Sequence, residues 1–108
     1  MTDLTRLLSA TRDLDAPLAI IDGPALAANA ADLITRANGV PVRIATKSVR
    51  VRQIIAATAA IPGFAGLMTY SLAESVWLAD LGYDDILLAY PTVLQSGLHD
   101  LIASEQRL

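Results

Sequence analysis

The run VRIATK, residues 42–47, is the stretch of this sequence that decides the fold. It is short, aliphatic and β-branched, and its hydrophobicity does not alternate strictly with polar positions. Three more runs of this kind occupy residues 17–22, 64–69 and 85–90, and the four begin 25, 22 and 21 residues after one another. Continuous hydrophobicity of this length is typical of strands that are buried on both faces of a parallel sheet. The sequence therefore predicts four parallel strands.

Helical patterns occupy the gaps between these runs. An apolar stripe from Leu26 to Ala37 predicts one helix, a second follows residue 51, and a short leading helix is expected over residues 3–12. Two further helices are predicted from capping-box spacing at their starts. The residues that mark helix ends are Asp22, Asn38-Gly39, Pro62-Gly63, Ser71 with Glu74, and Thr92 with Gln95.

Alternating strands and helices define an α/β fold with crossover connections. A doubly wound sheet and a (β/α)8 TIM-type barrel both satisfy this order. The even unit length, and the lack of a glycine-rich loop after the first strand, favour the barrel. A complete barrel needs roughly 250 residues, so we expect residues 1–108 to form its N-terminal half, with about four βα units. Open strand edges would then favour self-association.

Composition excludes several classes of function. A formal net charge of −3 argues against a nucleic-acid partner. The chain has no cysteine, which excludes disulfides, a thiol nucleophile and a thiolate metal site, and its one histidine, His99, does not suffice for a metal centre. We expect no bound metal. No apolar run is long enough to span a membrane, and no signal peptide is apparent, so a cytoplasmic location is expected.

Lys47 is the candidate for chemistry. It is the only lysine beside seven arginines, and it ends a predicted strand at the edge where parallel α/β folds bind ligands. Strand alternation would turn Arg43, Ala45 and Lys47 into the barrel, with Val42, Ile44 and Thr46 facing the helices. Nearby positive charge would favour a free amine that can attack an aldehyde. The alternative is a solvated lysine at a strand end.

Other polar residues near the predicted strand ends allow two interpretations each. Arg50 and Arg52 open a helix, where they would either contact an anion or pair with surface carboxylates. Arg43, if it faces inward, needs an acidic partner, which we expect from the other half of the barrel. Tyr70 and Tyr90 would either contact a ligand or pack at the rim.

Three segments resemble the alanine racemase/D-threonine aldolase group of fold-type III pyridoxal-phosphate enzymes. LDAPLAIIDGPALAANA, residues 14–30, resembles the opening strand and helix of that group, and VRIATKSVR, residues 42–50, resembles the strand whose lysine carries the cofactor. SLAESVWLADLGYDDILLAYP, residues 71–91, resembles a later segment. Ala45 and Val49 replace two histidines of the D-threonine aldolase pattern, Arg50 replaces its final lysine, and Val51 stands where alanine racemases have a tyrosine.

The resemblance implies that Lys47 binds pyridoxal 5′-phosphate as a covalent aldimine and acts as the catalytic lysine. It further implies that the parent protein is a homodimeric enzyme that cleaves or deaminates D-amino acids such as D-threonine or D-serine. A non-catalytic pyridoxal-phosphate carrier and an amino-acid racemase are the alternatives. The remaining cofactor-binding and catalytic groups are expected outside this chain, which by itself should be inactive.

Overall fold

The computed structural model describes residues 3–104, so the predicted unit 1–108 extends beyond the described residues at both ends. Within that range the chain forms five helices and three strands. In chain order these are α1 (Asp3–Thr11), α2 (Gly23–Ala37), β1 (Val42–Ala45), α3 (Arg52–Ala59), β2 (Phe64–Thr69), α4 (Leu72–Asp80), β3 (Ile86–Leu88) and α5 (Gln95–Ala103).

The strands form one parallel sheet in the order β1-β2-β3. Ala45 lies opposite Met68, and Met68 lies opposite Leu87, so these three residues share one row across the sheet. The class predicted from the sequence, an α/β fold with parallel strands and intervening helices, is confirmed. Strands β1 and β3 are shorter than the predicted runs 42–47 and 85–90.

The prediction of a strand at residues 17–22 is wrong. The segment has no regular secondary structure, and its side chains Leu18, Ile20 and Ile21 are 40–52% exposed. An apolar run indicates a tendency to be buried, but a strand also needs a ladder partner, and this run has none in the sheet of the described residues. The outer edge of β1 is therefore open, and an apolar groove of about 350 Å³ lies beside it, between α2 and α3.

The helix boundaries follow the expected capping chemistry with one exception. Asp22 Oδ1 accepts from the Ala25 N–H at 3.1 Å, and Asn38 closes α2 in the left-handed region at φ 49°. Ser71 Oγ accepts from the Glu74 N–H at 3.2 Å at the start of α4. The predicted cap at Thr92 is wrong, because α5 begins two residues later than that cap requires. The Thr92 hydroxyl instead accepts from the Leu94 N–H at 3.1 Å, just before α5.

The core lies on one face of the sheet only. Ile44, Leu67 and Ile86 from the three strands pack with side chains from α3 and α4, chiefly Ile55 and Leu78. Within β1, Ile44 is buried and Arg43 is exposed, as the predicted alternation requires. Thr46 is buried and Lys47 is exposed in the turn that follows the strand, so the inward direction of Lys47 stays a prediction. On the opposite face Met68 and Leu87 are 36% and 49% exposed. The sheet therefore has a helix-covered face and an open face.

Two buried threonines reach the core without leaving a polar group unpaired. Thr46 Oγ1 donates to the Met68 carbonyl at 3.3 Å, and Thr69 Oγ1 lies 2.5 Å from Ser75 Oγ. Ser75 Oγ also donates to the Ser71 carbonyl at 3.0 Å. These bonds link the ends of β1 and β2 to neighbouring elements. They also give each buried hydroxyl a partner, without which its burial would cost free energy.

Candidate functional site at the carboxyl edge of the sheet

Lys47 lies in the turn that follows β1, at the carboxyl edge of the sheet. The turn is held by the Ser48 N–H, which donates to the Ala45 carbonyl at 3.0 Å. The side chain of Lys47 is exposed, and its Nζ lies 5.8 Å from the centroid of the Tyr90 ring. This is a weak cation–π contact that leaves the amine accessible.

The three strands bring Lys47, Tyr70 and Tyr90 to one edge. Tyr70 follows the last residue of β2 directly, and Tyr90 lies two residues beyond β3. Carboxyl ends of parallel strands meet at the same edge, which is where this architecture places ligands. Tyr70 and Tyr90 both line a cavity of about 380 Å³, together with Ser71 and Thr92. Lys47 stands outside that cavity, on the other side of Tyr90.

Arg43 finds its acidic partner within this chain, so the expectation of a partner from the other half of a barrel is wrong. Its Nη1 lies 2.7 Å from Asp85 Oδ1 and donates to the Asp85 carbonyl at 3.2 Å. The pair crosses β2 at Gly66, whose φ is +72° and where a Cβ would clash with both side chains. Because Gly66 has no side chain, the ion pair between Arg43 and Asp85 can cross the open face of the sheet.

Arg50 and Arg52 face aromatic rings and not carboxylates. The Arg50 guanidinium carbon lies 4.9 Å from the centroid of the Tyr70 ring, and that of Arg52 lies 5.8 Å from the centroid of Trp77. Arg50 Nε also donates to the Lys47 carbonyl at 3.3 Å. Within residues 3–104 neither arginine forms an ion pair with a carboxylate, which rules out the interpretation that they pair with surface acids.

Asp22, at the end of the unpaired run 17–22, has a structural role. The hydrogen bond from the Ala25 N–H lowers the pKa of this carboxyl, desolvation opposes it in part, and the hydrogen bond and charge of the Arg6 guanidinium lower the pKa further. Arg6 donates to Asp22 and joins α1 to the start of α2. The prediction that Asp22 caps a helix is confirmed.

Trp77 is the residue of this edge that the sequence interpretation missed. It lies on α4, is 49% exposed, and lines a cavity of about 420 Å³ with Arg50, which precedes α3, and Arg52, its first residue. The apolar pattern of this helix gave no reason to single it out. The signal that was available is the pair of arginines at a helix start, since such charges need a compensating contact.

Comparison with known proteins adds no assignment. No family model, no curated protein and no solved structure matches this chain. Across residues 3–104, no helix has the length and apolar character that crossing a bilayer requires. The same residues contain no group of three histidine or acidic side chains arranged to hold a metal ion. The chemistry that the arrangement offers is thus a primary amine, two tyrosines and two guanidinium groups at one sheet edge.

Proposed function

We propose that this chain is part of a pyridoxal-phosphate enzyme that acts on D-amino acids, with Lys47 as the residue that holds the cofactor. The observation that carries the proposal is the position of Lys47. It is the only lysine of the chain, and it is exposed directly after β1, at the carboxyl edge of a parallel sheet. Ligands of parallel α/β folds bind at that edge.

The residues around Lys47 fit such a cofactor. A lysine amine is the group that joins the cofactor's aldehyde, and the Lys47 amine is accessible and has no carboxylate partner among residues 3–104. The Tyr90 ring beside it offers a flat surface to a flat cofactor ring. When bound, pyridoxal phosphate withdraws electrons from the substrate's α-carbon. Lys47 would hold the aldehyde carbon and, once released from it, move the proton at that α-carbon.

We also propose that the sheet is part of a (β/α)8 barrel. A doubly wound fold reverses its strand order and carries helices on both faces. Here the strands follow one another without reversal, and α3 and α4 pack on the same face. The open face, with Ala45, Met68 and Leu87, would form the barrel interior. Its exposure in one chain supports self-association, which sedimentation at several protein concentrations measures.

Reductive trapping tests the role of Lys47. The chain is incubated with stoichiometric pyridoxal phosphate, reduced with borohydride and mapped by peptide mass. We expect the reduced adduct on the peptide that contains Lys47, and none there in Lys47→Arg, which keeps the charge but removes the nucleophilic amine. Labelling only at the N-terminal amine, or only at large cofactor excess, would refute the assignment.

We propose that this chain is part of a longer protein. Assays of that protein with D-amino acids would then distinguish the possible activities. Aldol cleavage of D-threonine releases acetaldehyde, whereas deamination of D-serine releases pyruvate and ammonia. Cofactor bound at Lys47 without turnover of either substrate would indicate a carrier in place of an enzyme. We expect turnover that is lost in Lys47→Arg. We also propose a location in the cytoplasm, where pyridoxal phosphate and D-amino acids would both have to be present.

A further inference from the structure

We propose a second ligand site, for a small organic anion with a flat apolar part, in the cavity between the start of α3 and α4. This site is distinct from Lys47, which does not line it. The cavity has a volume of about 420 Å³, which falls in the range of small-molecule sites. Its lining combines guanidinium groups, aromatic rings and a floor of core side chains.

The charge of this cavity is unusual for the start of a helix. The first turn of α3 carries no acidic residue, and Val51 at the N-cap gives no side-chain acceptor to the backbone N–H groups. Arg50 and Arg52 instead add two positive charges beside the positive end of the helix dipole. Positive charge at this end of a helix is unfavourable, and a bound anion would offset this cost. No carboxylate of residues 3–104 forms an ion pair with either arginine.

The aromatic walls define the rest of the ligand. The Arg50 guanidinium lies 4.9 Å from the Tyr70 ring and that of Arg52 lies 5.8 Å from the Trp77 ring, so both positive groups stand beside an aromatic wall of the cavity. Ile55 and Leu78 belong to the core and form an apolar floor. A carboxylate or phosphate would meet the arginines, while an attached ring or short chain would lie against this floor.

Glu74 is the one acidic side chain in the lining, so its neutralisation should change the affinity for an anion in a defined sense. Its Oε2 accepts from the Tyr70 N–H at 3.2 Å and forms no ion pair with the arginines. Its charge opposes an incoming anion. We therefore expect Glu74→Gln, which keeps an acceptor for the Tyr70 N–H, to bind the anion more tightly than the unaltered chain.

The experiment titrates the 108-residue chain with phenyl phosphate. The readout is the fluorescence of Trp77, the only tryptophan, supported by calorimetry. We expect saturable binding that weakens with added salt. Arg50→Met and Arg52→Met should each raise the Kd at least about tenfold, because a charge-assisted hydrogen bond is lost. Arg36→Met is the matched control, since Arg36 pairs with Asp32 on the surface of α2 and lies outside the cavity.

Several results would contradict the proposal of this anion site. Equal affinity for phenyl phosphate and neutral benzyl alcohol would overturn the proposal, as would unchanged binding in both arginine variants or a loss as large in Arg36→Met. Binding of inorganic phosphate with the same Kd would refute the apolar part of the site. Lys47→Arg should bind phenyl phosphate unchanged, so that failure of the cofactor proposal and failure of this one are distinguishable.

Discussion

Gly66 is the residue whose replacement tests the architecture of the open face most directly. It lies in β2 at φ +72°, a conformation that residues with a Cβ rarely adopt. An added Cβ would lie 2.6 Å from Asp85 Cγ and would also clash with Arg43 Nη1. Gly66→Ala therefore strains the backbone and separates the ion pair that joins β1 to the residue before β3.

The two effects have different magnitudes. Placing alanine in the left-handed region costs about 1–2 kcal/mol relative to glycine. The clashing atoms are the ends of long or mobile side chains, which can move aside, so the second cost is only the loss of the bridge. A pair that is 38% and 52% exposed contributes at most about 1 kcal/mol. We expect Gly66→Ala to lower the free energy of unfolding by about 1–3 kcal/mol, a large share of the total of a small domain.

Urea denaturation monitored by circular dichroism measures this loss. Gly82→Ala is the matched control, because Gly82 has φ +93° and no heavy atom lies within 4 Å of its added Cβ. It should show the backbone cost without the loss of the bridge. In an Arg43→Ala/Asp85→Ala background, Gly66→Ala should cost no more than Gly82→Ala. A loss that stays the same in that background would refute the assignment of the extra cost to the bridge.

The remaining predictions concern the core and a helix start. Asp22 has a lowered pKa, so its contribution to stability is present above its ordinary pKa of 3.8 and is lost as pH falls through the lower folded value; urea midpoints should fall less between pH 5 and pH 2.5 in Asp22→Asn. Thr69→Val should cost about 1–2 kcal/mol by leaving the buried Ser75 hydroxyl with one bond fewer, and adding Ser75→Ala should cost little more, as a double-mutant cycle would show. Leu78→Ala should cost about 2–5 kcal/mol in urea denaturation, since Leu78 is 0% exposed, whereas Leu8→Ala, at a residue 61% exposed, should change stability far less.

Local chemistry made most of this fold predictable from the sequence. The strands Val42–Ala45, Phe64–Thr69 and Ile86–Leu88 and the cap at Asp22 were predictable because apolar runs and capping side chains act on residues close to them in sequence. The run at 17–22 has an equally apolar pattern, but strand formation depends on a neighbouring ladder that no local pattern specifies. Pairings between distant residues, such as Arg43 with Asp85, were out of reach for the same reason.

The candidate site was also predictable from the sequence only in part. The period of two along β1 was enough to predict that Ile44 is buried and Arg43 is exposed, whereas Lys47 lies in the turn beyond the strand, where that period no longer applies. The partners of Arg50 and Arg52 were not predictable, because Tyr70 and Trp77 come from a loop and a helix that only the parallel order brings beside α3. A sequence pattern shows which face a side chain occupies but not what lies across from it.

The burial of Thr46 explains why variants of Lys47 give a clean test of function. Thr46 is fully buried and donates to the Met68 carbonyl, whereas the next residue, Lys47, is exposed to solvent. The fold therefore requires no particular side chain at position 47, and a lysine there adds little to stability through its weak contact with Tyr90. Arg43 differs, because its bridge to Asp85 contributes to the sheet. A change in ligand binding or turnover in Lys47→Arg can thus be read as a functional effect, whereas the same change in an Arg43 variant would have to be separated from loss of structure.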